Sequence, residues 1–405
     1  MKRILVLSNG HGEDLSGSFL AKKLICNGYE VDALPIVGKG KNYIREKINI
    51  LGKTKDFNTG GLGYNSLKGR INDLLNGQII YFLRKLLLVL RNHKNYDYLL
   101  IVGDIVPIFF AWASKKKFFV YLVAYSSHYE GKLKLPWPCK YFLISKKVER
   151  IFARDQLTAS DLTNQLQRKV HFLGNPFMER LNCQESLDQK LLFDISFFPG
   201  SRSPEIVHNF LLMIDILESM SKFKFFQNIS FNFALVNAFN VDKIKEILKS
   251  RHWIILRNSK KQLNCLKFQI GFIQVSFKWN SFDEILYKSD LVISMAGTAA
   301  EQAIGCSKPV IQIEGNGPQF TKSFAEAQRR LLGEFVFCAT DYKSKKEQID
   351  KTVNLIIQVM YLMKIDKRFL ISCKKNSLKR IGKDGACTKL VNEINNVIIN
   401  ENKIF

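Results

Sequence analysis

A histidine and two acidic residues follow the first apolar run of the chain at a spacing that suits proton transfer. The run ILVL leads into SNGHGEDLSG, in which His11 precedes Glu13 and Asp14. A histidine with neighbouring carboxylates can orient a reacting hydroxyl group or take its proton. The alternative is that Asp14 and Ser16 only cap the helix that follows.

The glycines of the same stretch argue against a bound dinucleotide. Gly10 and Gly12 have the spacing of the first two glycines of the dinucleotide-binding fingerprint, but Leu15 occupies the position of the third. The pattern therefore disfavours NAD as a ligand.

A second glycine loop, FFPGSRSPEIVHN, contains an arginine that a turn does not require. Gly200 allows a tight turn, and Ser203 followed by Pro204 suits the start of a helix. Arg202 beside a helix N-terminus is typical of a phosphate ligand. The alternative is an arginine exposed to solvent.

A third loop, in ISMAGTAAEQAIGCSKPVIQI, leads from a strand into a helix of small residues. Gly297 turns the chain, and Ala299 and Ala300 leave the start of the helix open to close approach by a diphosphate. Glu301 has two interpretations. It forms a capping box with Thr298, or its carboxylate binds the hydroxyl groups of a ribose, as the acid of a dinucleotide site does.

The balance of charge favours an anionic partner. The chain has 405 residues, with 61 Lys and Arg against 36 Asp and Glu, a net charge of +25. Such a charge attracts nucleotides, nucleic acids and acidic membranes. The alternative is that a general bias of composition towards lysine produces the same net charge.

No basic-aromatic motif of a nucleic-acid-binding module is present, and the eight cysteines include no C-x-x-C pair. We therefore expect no nucleic acid as a partner and no bound metal ion.

Short apolar runs alternate with helical patterns along the whole chain, which predicts parallel sheets covered by helices. The chain is too long for a single core, and a linker is expected near 175–190. The predicted fold class is α/β, with two Rossmann-like doubly wound domains facing a cleft. Strands are predicted at RILVLS, YEVDALPI, YDYLLIVG, KFFVYLVA, YFLIS, RIFARD, KVHFLG, FDISFFPG, SFNFALV, HWIILR, FIQVSF, LVISM, PVIQI and EFVFCA.

One predicted helix, IIYFLRKLLLVLRNHK, is amphipathic and cationic. Arg84, Lys85, Arg91 and Lys94 interrupt its leucines. Such a helix packs on the core or lies against a membrane surface. No apolar stretch reaches the roughly 18 residues of a spanning helix, and MKRILVLSNG lacks the apolar region of a secretory signal. We expect a cytoplasmic protein that is peripheral at the inner face of the membrane.

The three loops together resemble the GT-B glycosyltransferases, and most closely lipid-A-disaccharide synthase and its relatives. The resemblance rests on SNGHGEDLSGSFLAKKL, FFPGSRSPEI and ISMAGTAAEQAIGCSKPVIQIEGNGPQF, in the order of that family and covering most of residues 1–335. The histidine after glycines is also similar to the enzyme that adds N-acetylglucosamine to the peptidoglycan lipid precursor. The resemblance implies the GT-B fold, with an acceptor-binding domain at 1–178, a nucleotide-sugar-binding domain at 179–375 and a helical tail at 376–405. We expect this tail to pack back on the N-terminal domain.

The donor site implied by the resemblance lies in the second domain. Gly297, Thr298 and Ala299 would face the diphosphate of a UDP-sugar. Glu301 would bind its ribose. The other residues implied for the donor are Gln319, after EGNGP, at the sugar, and Gly200, Ser201 and Arg202 at the phosphates.

The acceptor site implied by the resemblance lies in the first domain. Asp104, at the end of YDYLLIVGD, occupies the place of the family's candidate general base, and His11 is its rival. The alternative for Asp104 is a cap on the helix IVPIFFAWA. The residues implied for binding the acceptor are Gly10, Gly12, Glu13 and Asp14.

The implied reaction is an inverting transfer of a hexosamine, of the N-acetylglucosamine type and acylated or not, from a UDP-sugar to a lipid-linked acceptor. It would need no cofactor and no metal ion, because helix N-termini and Arg202 would stabilise the departing diphosphate. Two other functions use the same donor site: 2-epimerisation of UDP-N-acetylglucosamine, and nucleotide-sugar binding without catalysis. A requirement for a lipid distinguishes the transferase from both.

Overall fold

The computed structural model describes residues 1–55, 78–129, 131–181, 192–201, 205–236, 239–256, 265–315 and 321–403. Two residues predicted for the donor site, Arg202 and Gln319, lie outside the described residues. The helix start predicted at Ser203 and Pro204 lies outside them as well.

The chain forms two compact units. Unit 1 comprises Met1–Glu179 and Ile381–Phe405, and unit 2 comprises Arg180–Arg380. The strands are β1 (Arg3–Ser8), β2 (Glu30–Pro35), β3 (Asn49–Ile50), β4 (Tyr98–Val102), β5 (Lys117–Leu122), β6 (Val148–Ala153), β7 (Val170–His171), β8 (Phe193–Phe198), β9 (Ile229–Leu235), β10 (Ile254–Leu256), β11 (Cys265–Ile270), β12 (Ile273–Trp279), β13 (Leu291–Ser294), β14 (Val310–Gln312) and β15 (Val336–Cys338). The α-helices are α1 (His11–Cys26), α2 (Lys41–Arg45), α3 (Gln78–Asn92), α4 (Ile105–Ala113), α5 (Cys139–Leu143), α6 (Gln156–Leu166), α7 (Glu205–Met220), α8 (Val241–Ser250), α9 (Phe282–Lys288), α10 (Gly297–Gly305), α11 (Lys322–Leu332), α12 (Lys345–Ile365), α13 (Phe369–Arg380) and α14 (Ala386–Lys403).

The sheet of unit 1 has the order β3-β2-β1-β4-β5-β6-β7, and its strands pair in parallel. Leu5 and Leu99 join one buried cluster, whereas Ile4 and Leu100 join another. A sheet buried on both faces requires apolar residues at consecutive positions, which explains the uninterrupted apolar runs. The order reverses between β1 and β4, and open α/β sheets bind ligands at the carboxyl ends of such a pair.

The C-terminal helix α14 packs within unit 1. Cys387 and Leu390 belong to one of its buried clusters. The Tyr98 hydroxyl donates a hydrogen bond to Glu401 at 2.7 Å, and Lys117 Nζ lies 2.5 Å from the same carboxylate. Apolar packing and these two polar contacts therefore fix the end of the chain to the strands β4 and β5.

The sheet of unit 2 has the order β10-β11-β12-β9-β8-β13-β14-β15. Strands β10, β11 and β12 pair antiparallel, and the others pair in parallel. Aromatic rings fill its core: the ring centroid of Phe233 lies 4.8 Å from Phe197, 5.6 Å from Phe210 and 5.0 Å from Phe277. The strand order reverses between β8 and β13, which makes a second switch point.

The strand predicted at YFLIS is wrong, because these residues lie in and after helix α5. Phe142 and Leu143 enter the core, whereas Tyr141 is exposed. The Phe142 ring lies 4.9 Å from the ring of Trp112 in α4. A run of four apolar residues does not separate a strand from a short buried helix. Strand β11, which forms an antiparallel pair with β12, has no counterpart among the predicted strands.

The predicted amphipathic helix is present as α3, but one of its cations is buried. Arg84 and Arg91 are exposed, whereas Lys85 is only 3% exposed. Its Nζ lies 3.5 Å from the carbonyl oxygen of Pro35 and 5.5 Å from the centroid of the Tyr81 ring. Burial lowers the pKa of Lys85 to about 8. Lys85 is therefore not part of a cationic surface.

Replacing Lys85 by methionine is expected to raise the free energy of unfolding at pH 7 by about 1–2 kcal/mol, because the buried charge is removed. The pKa of Lys85 is 10.5 when the chain is unfolded and about 8 when it is folded. Between these values the unfolded state binds more protons, so the wild type gains stability as pH rises and the advantage of Lys85→Met shrinks. Urea unfolding at pH 7 and pH 9.5 measures both effects. The exposed Arg84→Met serves as the control, and an advantage that grows with pH would contradict the prediction.

Candidate functional site

Two glycine turns lie side by side in unit 1, at the carboxyl ends of β1 and β4. Gly10 has a φ of 145° and Gly103 a φ of 150°. Residues with side chains rarely adopt these values, so both turns favour glycine. Since β1 and β4 are paired neighbours, Asn9 before the first glycine and Asp104 after the second are brought together.

Asp104 is a buried carboxylate with a fixed orientation. Its Oδ1 accepts a hydrogen bond from the backbone N–H of Val106 at 3.0 Å, which makes it the N-cap of α4. The side-chain amide of Asn9 donates to both Asp104 oxygens, at 3.1 and 2.9 Å. The helix-cap interpretation of Asp104 is therefore confirmed. The cap holds this carboxylate at the switch point, so Asp104 remains a candidate for proton transfer.

Helix α1 begins at His11, so most of the predicted loop is helical. Its N-cap is Gly10, and no side chain caps it. Asp14 and Ser16 lie inside the helix and are buried. The prediction that they cap the helix is wrong, because a capping side chain must come before the first helical residue. Only two residues connect β1 to α1.

Asp14 belongs to a buried network of hydroxyl groups. Ser8 Oγ donates a hydrogen bond to Asp14 Oδ1 at 2.6 Å, and the Tyr43 hydroxyl donates to Ser8 Oγ at 2.9 Å. Burial raises the pKa of Tyr43 well above its ordinary value, and the charge of Asp14 adds to the effect. The phenol therefore remains a neutral donor, and the network ties α1 and α2 to the end of β1.

His11 is exposed at the start of α1. Its carbonyl oxygen accepts a hydrogen bond from Asn42 Nδ2 at 3.4 Å. Its ring lies close to Gly38, since a Cβ at that position would come within 3.3 Å of His11 Cε1. The imidazole is thus accessible from solvent. His11 therefore remains a candidate proton acceptor, as Asp104 does.

Glu13 extends across both glycine turns, and Gly12 beside it is half-buried. The Glu13 carboxylate occupies the space that a side chain at Gly10 would need. Its Cγ lies 3.6 Å from the place where a Cβ of Gly103 would be. Glu13 therefore adjoins the ends of both strands, β1 and β4.

The two glycine loops predicted in unit 2 also meet. Met295 N donates to the carbonyl oxygen of Phe198 at 3.0 Å, which joins the ends of β13 and β8. Gly200 has a φ of 103°, and a Cβ there would lie 3.5 Å from Met295 O and 3.8 Å from Ala296 Cβ. Ser201 follows and is exposed. The loop after β8 therefore contacts the residues that lead into α10.

Helix α10 begins at Gly297 without a capping side chain. Its N-cap is Ala296. The capping-box interpretation of Thr298 and Glu301 is wrong, because Thr298 is already the second helical residue and cannot act as the cap. Thr298 is exposed, Ala299 is buried and Glu301 is half-buried. The first turn therefore presents small side chains at the switch point, with one carboxylate a turn further along.

Helix α11 covers one side of Gly297. A Cβ at Gly297 would lie 3.2 Å from Phe324 Cζ and 3.5 Å from Gln328 Nε2. Gln328 is buried, and its Oε1 has no hydrogen-bond partner among the described residues. The close approach of these two side chains explains why the position before Thr298 is a glycine.

A second polar cluster in unit 1 has no counterpart in the sequence predictions. Asp155, the N-cap of α6, accepts hydrogen bonds from Ser126 Oγ at 2.7 Å and from Thr158 N at 2.8 Å. His128 Nε2 lies 3.6 Å from Asp155 Oδ1. The cluster follows β5 and β6, and β5 pairs with β4, so it shares a sheet edge with Asp104. The helix-start pattern RDQLTASDL was its only sequence signal.

The acidic and histidine side chains of these clusters do not assemble a metal centre. Across the described ranges, no group of three or more His, Cys, Asp or Glu residues is placed to hold a metal ion.

Solved structures with the same arrangement of strands and helices cover nearly the whole chain. MurG of Acinetobacter baumannii is 12% identical, with a TM-score of 0.56, over 98% of this chain and 100% of its own. The calicheamicin glycosyltransferase CalG4 is 10% identical, with a TM-score of 0.59, over 98% of both chains. The UDP-GlcNAc 2-epimerase of Neisseria meningitidis, bound to UDP-GlcNAc, is 14% identical, with a TM-score of 0.53, over 97% of this chain and 99% of its own.

These similarities show the fold. The chain has two α/β units with parallel sheets of the kind found in GT-B glycosyltransferases and in epimerases of the same fold, so the predicted fold class is confirmed. No protein-family model matches the chain, and no curated protein matches it.

Proposed function

We propose that this protein is a glycosyltransferase that moves a hexosamine from a UDP-sugar to a lipid-linked acceptor, in the manner of lipid-A-disaccharide synthase. The observation that carries the proposal is the start of α10, which lies at the switch point of unit 2 without a capping side chain and beside Gly200. A helix N-terminus of this kind binds phosphate groups through its backbone N–H groups and its dipole. The fold is shared with a UDP-GlcNAc 2-epimerase bound to UDP-GlcNAc and with a glycosyltransferase.

The donor is held by unit 2 in this proposal. Gly297, Thr298 and Ala299 face the diphosphate, since none of them has a side chain that would block its approach. Glu301 accepts hydrogen bonds from the ribose hydroxyl groups. The other donor residues are Gly200, Ser201 and Arg202 at the phosphates, and Gln319 at the sugar.

The acceptor is held by unit 1, where Asp104 or His11 takes the proton of the attacking hydroxyl group. The other residues of unit 1 that we assign to the acceptor are Gly10, Gly12, Glu13 and Asp14. Negative charge develops on the diphosphate as the anomeric C–O bond breaks, and the start of α10 together with Arg202 stabilises it there. The attack inverts the anomeric carbon, and the reaction uses no cofactor or metal ion.

A surface of unit 1 supports attachment to a membrane. Helix α3 exposes Ile79, Ile80, Leu83 and Leu87, each about half or more. Exposed cations of α3, Arg84 and Arg91, lie beside these apolar residues, with Lys94 just after the helix. Apolar residues bordered by cations are typical of binding at an anionic interface. No helix within the described ranges is long and apolar enough to cross a bilayer. On the strength of the α3 surface, we propose that the protein is peripheral at the cytoplasmic face of the membrane.

Removing the apolar side chains of α3 is expected to weaken binding to vesicles. The double variant Leu83→Ser with Leu87→Ser should lower the partition coefficient onto vesicles that contain anionic lipid by about tenfold or more, because burial of a leucine contributes about 1.5–3 kcal/mol. Sedimentation with vesicles measures the effect. Ile254→Ser, which changes an exposed residue of unit 2, is the control and should bind as the wild type does. Equal binding by the double variant would refute membrane attachment through α3.

A UDP-GlcNAc 2-epimerase is the second candidate function, because an epimerase shares the fold over nearly its full length. An epimerase would convert the UDP-sugar without any acceptor. Binding of the nucleotide sugar without turnover is a third outcome, which would follow if the residues of unit 1 perform no catalysis.

Mass spectrometry of lipids decides between these functions. The purified protein is incubated with a panel of UDP-sugars, with and without membrane extract. A transferase yields a lipid heavier by one hexosamine residue and an equal amount of UDP. Conversion of the UDP-sugar to its 2-epimer without lipid would identify an epimerase; because the epimers have equal mass, this outcome is read by NMR of the sugar nucleotide. If no donor is consumed in any combination, the catalytic proposal fails.

A further inference from the structure

Asn9 has a buried side-chain oxygen without a hydrogen-bond partner among the described residues. The residue is 6% exposed. Its amide nitrogen donates to both carboxylate oxygens of Asp104. A buried polar atom that lacks a partner is rare in folded proteins, and such atoms commonly await a ligand or water.

The orientation of the Asn9 amide is determined by Asp104. An ionised carboxylate only accepts hydrogen bonds, so the NH₂ group of Asn9 must face it and the oxygen Oδ1 must face elsewhere. Rotating the amide by half a turn would place two acceptors against each other. The unsatisfied atom at this site is therefore an acceptor, and it requires a donor from outside the pair.

Asn9 stands at the switch point of unit 1, directly before the 16-residue helix α1 and its N-cap Gly10. Its backbone nitrogen lies 3.7 Å from the place that a Cβ of Gly103 would take, and Glu13 Cγ lies 3.6 Å from the same place. Glu13 extends from there to Gly10. The Glu13 side chain thus lies next to Asn9 and borders both glycine turns.

The charges at this site oppose an anion. Glu13, Asp14 and Asp104 contribute three carboxylates close to the start of α1, and the Asn9 oxygen adds the negative end of a dipole. A phosphate offers mainly acceptors at neutral pH. The uncapped start of α1 supplies N–H donors, but the three carboxylates repel the charge of a phosphate. A neutral sugar offers hydroxyl groups that donate hydrogen bonds to these same atoms.

We propose that Asn9 Oδ1 accepts a hydrogen bond from a hydroxyl group of a neutral sugar ring, and that this ring is the reacting end of the acceptor. Asn9 is a residue for recognition of the acceptor, and Asp104 positions it. Any phosphate of a lipid-linked acceptor lies away from this pair. That the bound sugar is the acceptor rests on the proposed function. The preference for a neutral sugar does not, because it is a property of unit 1 alone.

The test is a binding experiment on the full chain without catalysis. Methyl N-acetyl-β-glucosaminide and N-acetylglucosamine 6-phosphate are titrated separately and followed by NMR, with UDP present in excess so that the nucleotide site proposed in unit 2 is filled. The wild type should bind the neutral glycoside more tightly than the phosphate. Asn9→Ala should weaken binding of the glycoside by about three- to tenfold, the range for one uncharged hydrogen bond, and leave UDP binding unchanged. Asn49→Ala, at an exposed edge of the same sheet, should change neither.

Three results would overturn the inference: no binding of the glycoside, tighter binding of the phosphate, or equal glycoside binding by Asn9→Ala. The comparison of the two sugars uses the wild type, so it decides the matter even if Asn9→Ala does not fold. Glycoside binding that depends on Asn9, in a protein that neither binds UDP nor transfers sugar, would refute the proposed function and leave only the neutral-sugar site at Asn9 standing.

Discussion

Replacing Glu301 by alanine should weaken UDP binding by about 30-fold or more. A carboxylate that accepts hydrogen bonds from ribose hydroxyl groups contributes about 1.5–3 kcal/mol for each bond to the charged group. Isothermal calorimetry with UDP measures the change directly. The control is Glu334→Ala, which removes an exposed carboxylate from the same unit.

The stability of Glu301→Ala separates the two interpretations of this residue. Ala296, not Thr298, is the N-cap of α10, so removal of Glu301 breaks no capping box, and alanine is favourable in a helix. We therefore expect weaker UDP binding by a variant that keeps helix α10. A lower melting temperature with unchanged affinity for UDP would restore the capping interpretation and remove the main support for the donor site.

Replacing Asp104 by asparagine should lower the rate of sugar transfer by about 10²- to 10⁴-fold, the usual contribution of a general base. Asparagine caps helices about as well as aspartate, so α4 should keep its start while the proton acceptor is lost. The rate is measured with saturating donor and acceptor, and circular dichroism checks the fold.

His11→Ala is the companion variant, because His11 is the rival base. If Asp104 is the base, His11→Ala loses much less activity than Asp104→Asn, and the reverse order assigns the role to His11. Asp97→Asn removes an exposed carboxylate that accepts from Arg3 N and should retain full activity. Full activity in both Asp104→Asn and His11→Ala would exclude the mechanism.

Local features of the sequence determined most of the elements and the glycine turns that follow β1 and β8. The consecutive apolar residues of β1 and β4 predict buried parallel strands, since a sheet covered on both faces needs them. Gly10 and Gly200 predict tight turns after strands, because only glycine adopts their φ values without strain. These properties depend on a few neighbouring residues, which is why they can be recognised without a structure.

Tertiary structure alone decided which groups are satisfied, buried or brought together. Asn9 and Asp104 are 95 residues apart, and their pairing arises from the adjacency of β1 and β4. Gln328 meets Gly297 only because α11 packs against the start of α10. Lys85 is buried although its helix is amphipathic, and Phe142 lies in a helix although its neighbours suggest a strand. Each outcome depends on contacts between segments distant in sequence, and the free energy of such contacts outweighs local preference.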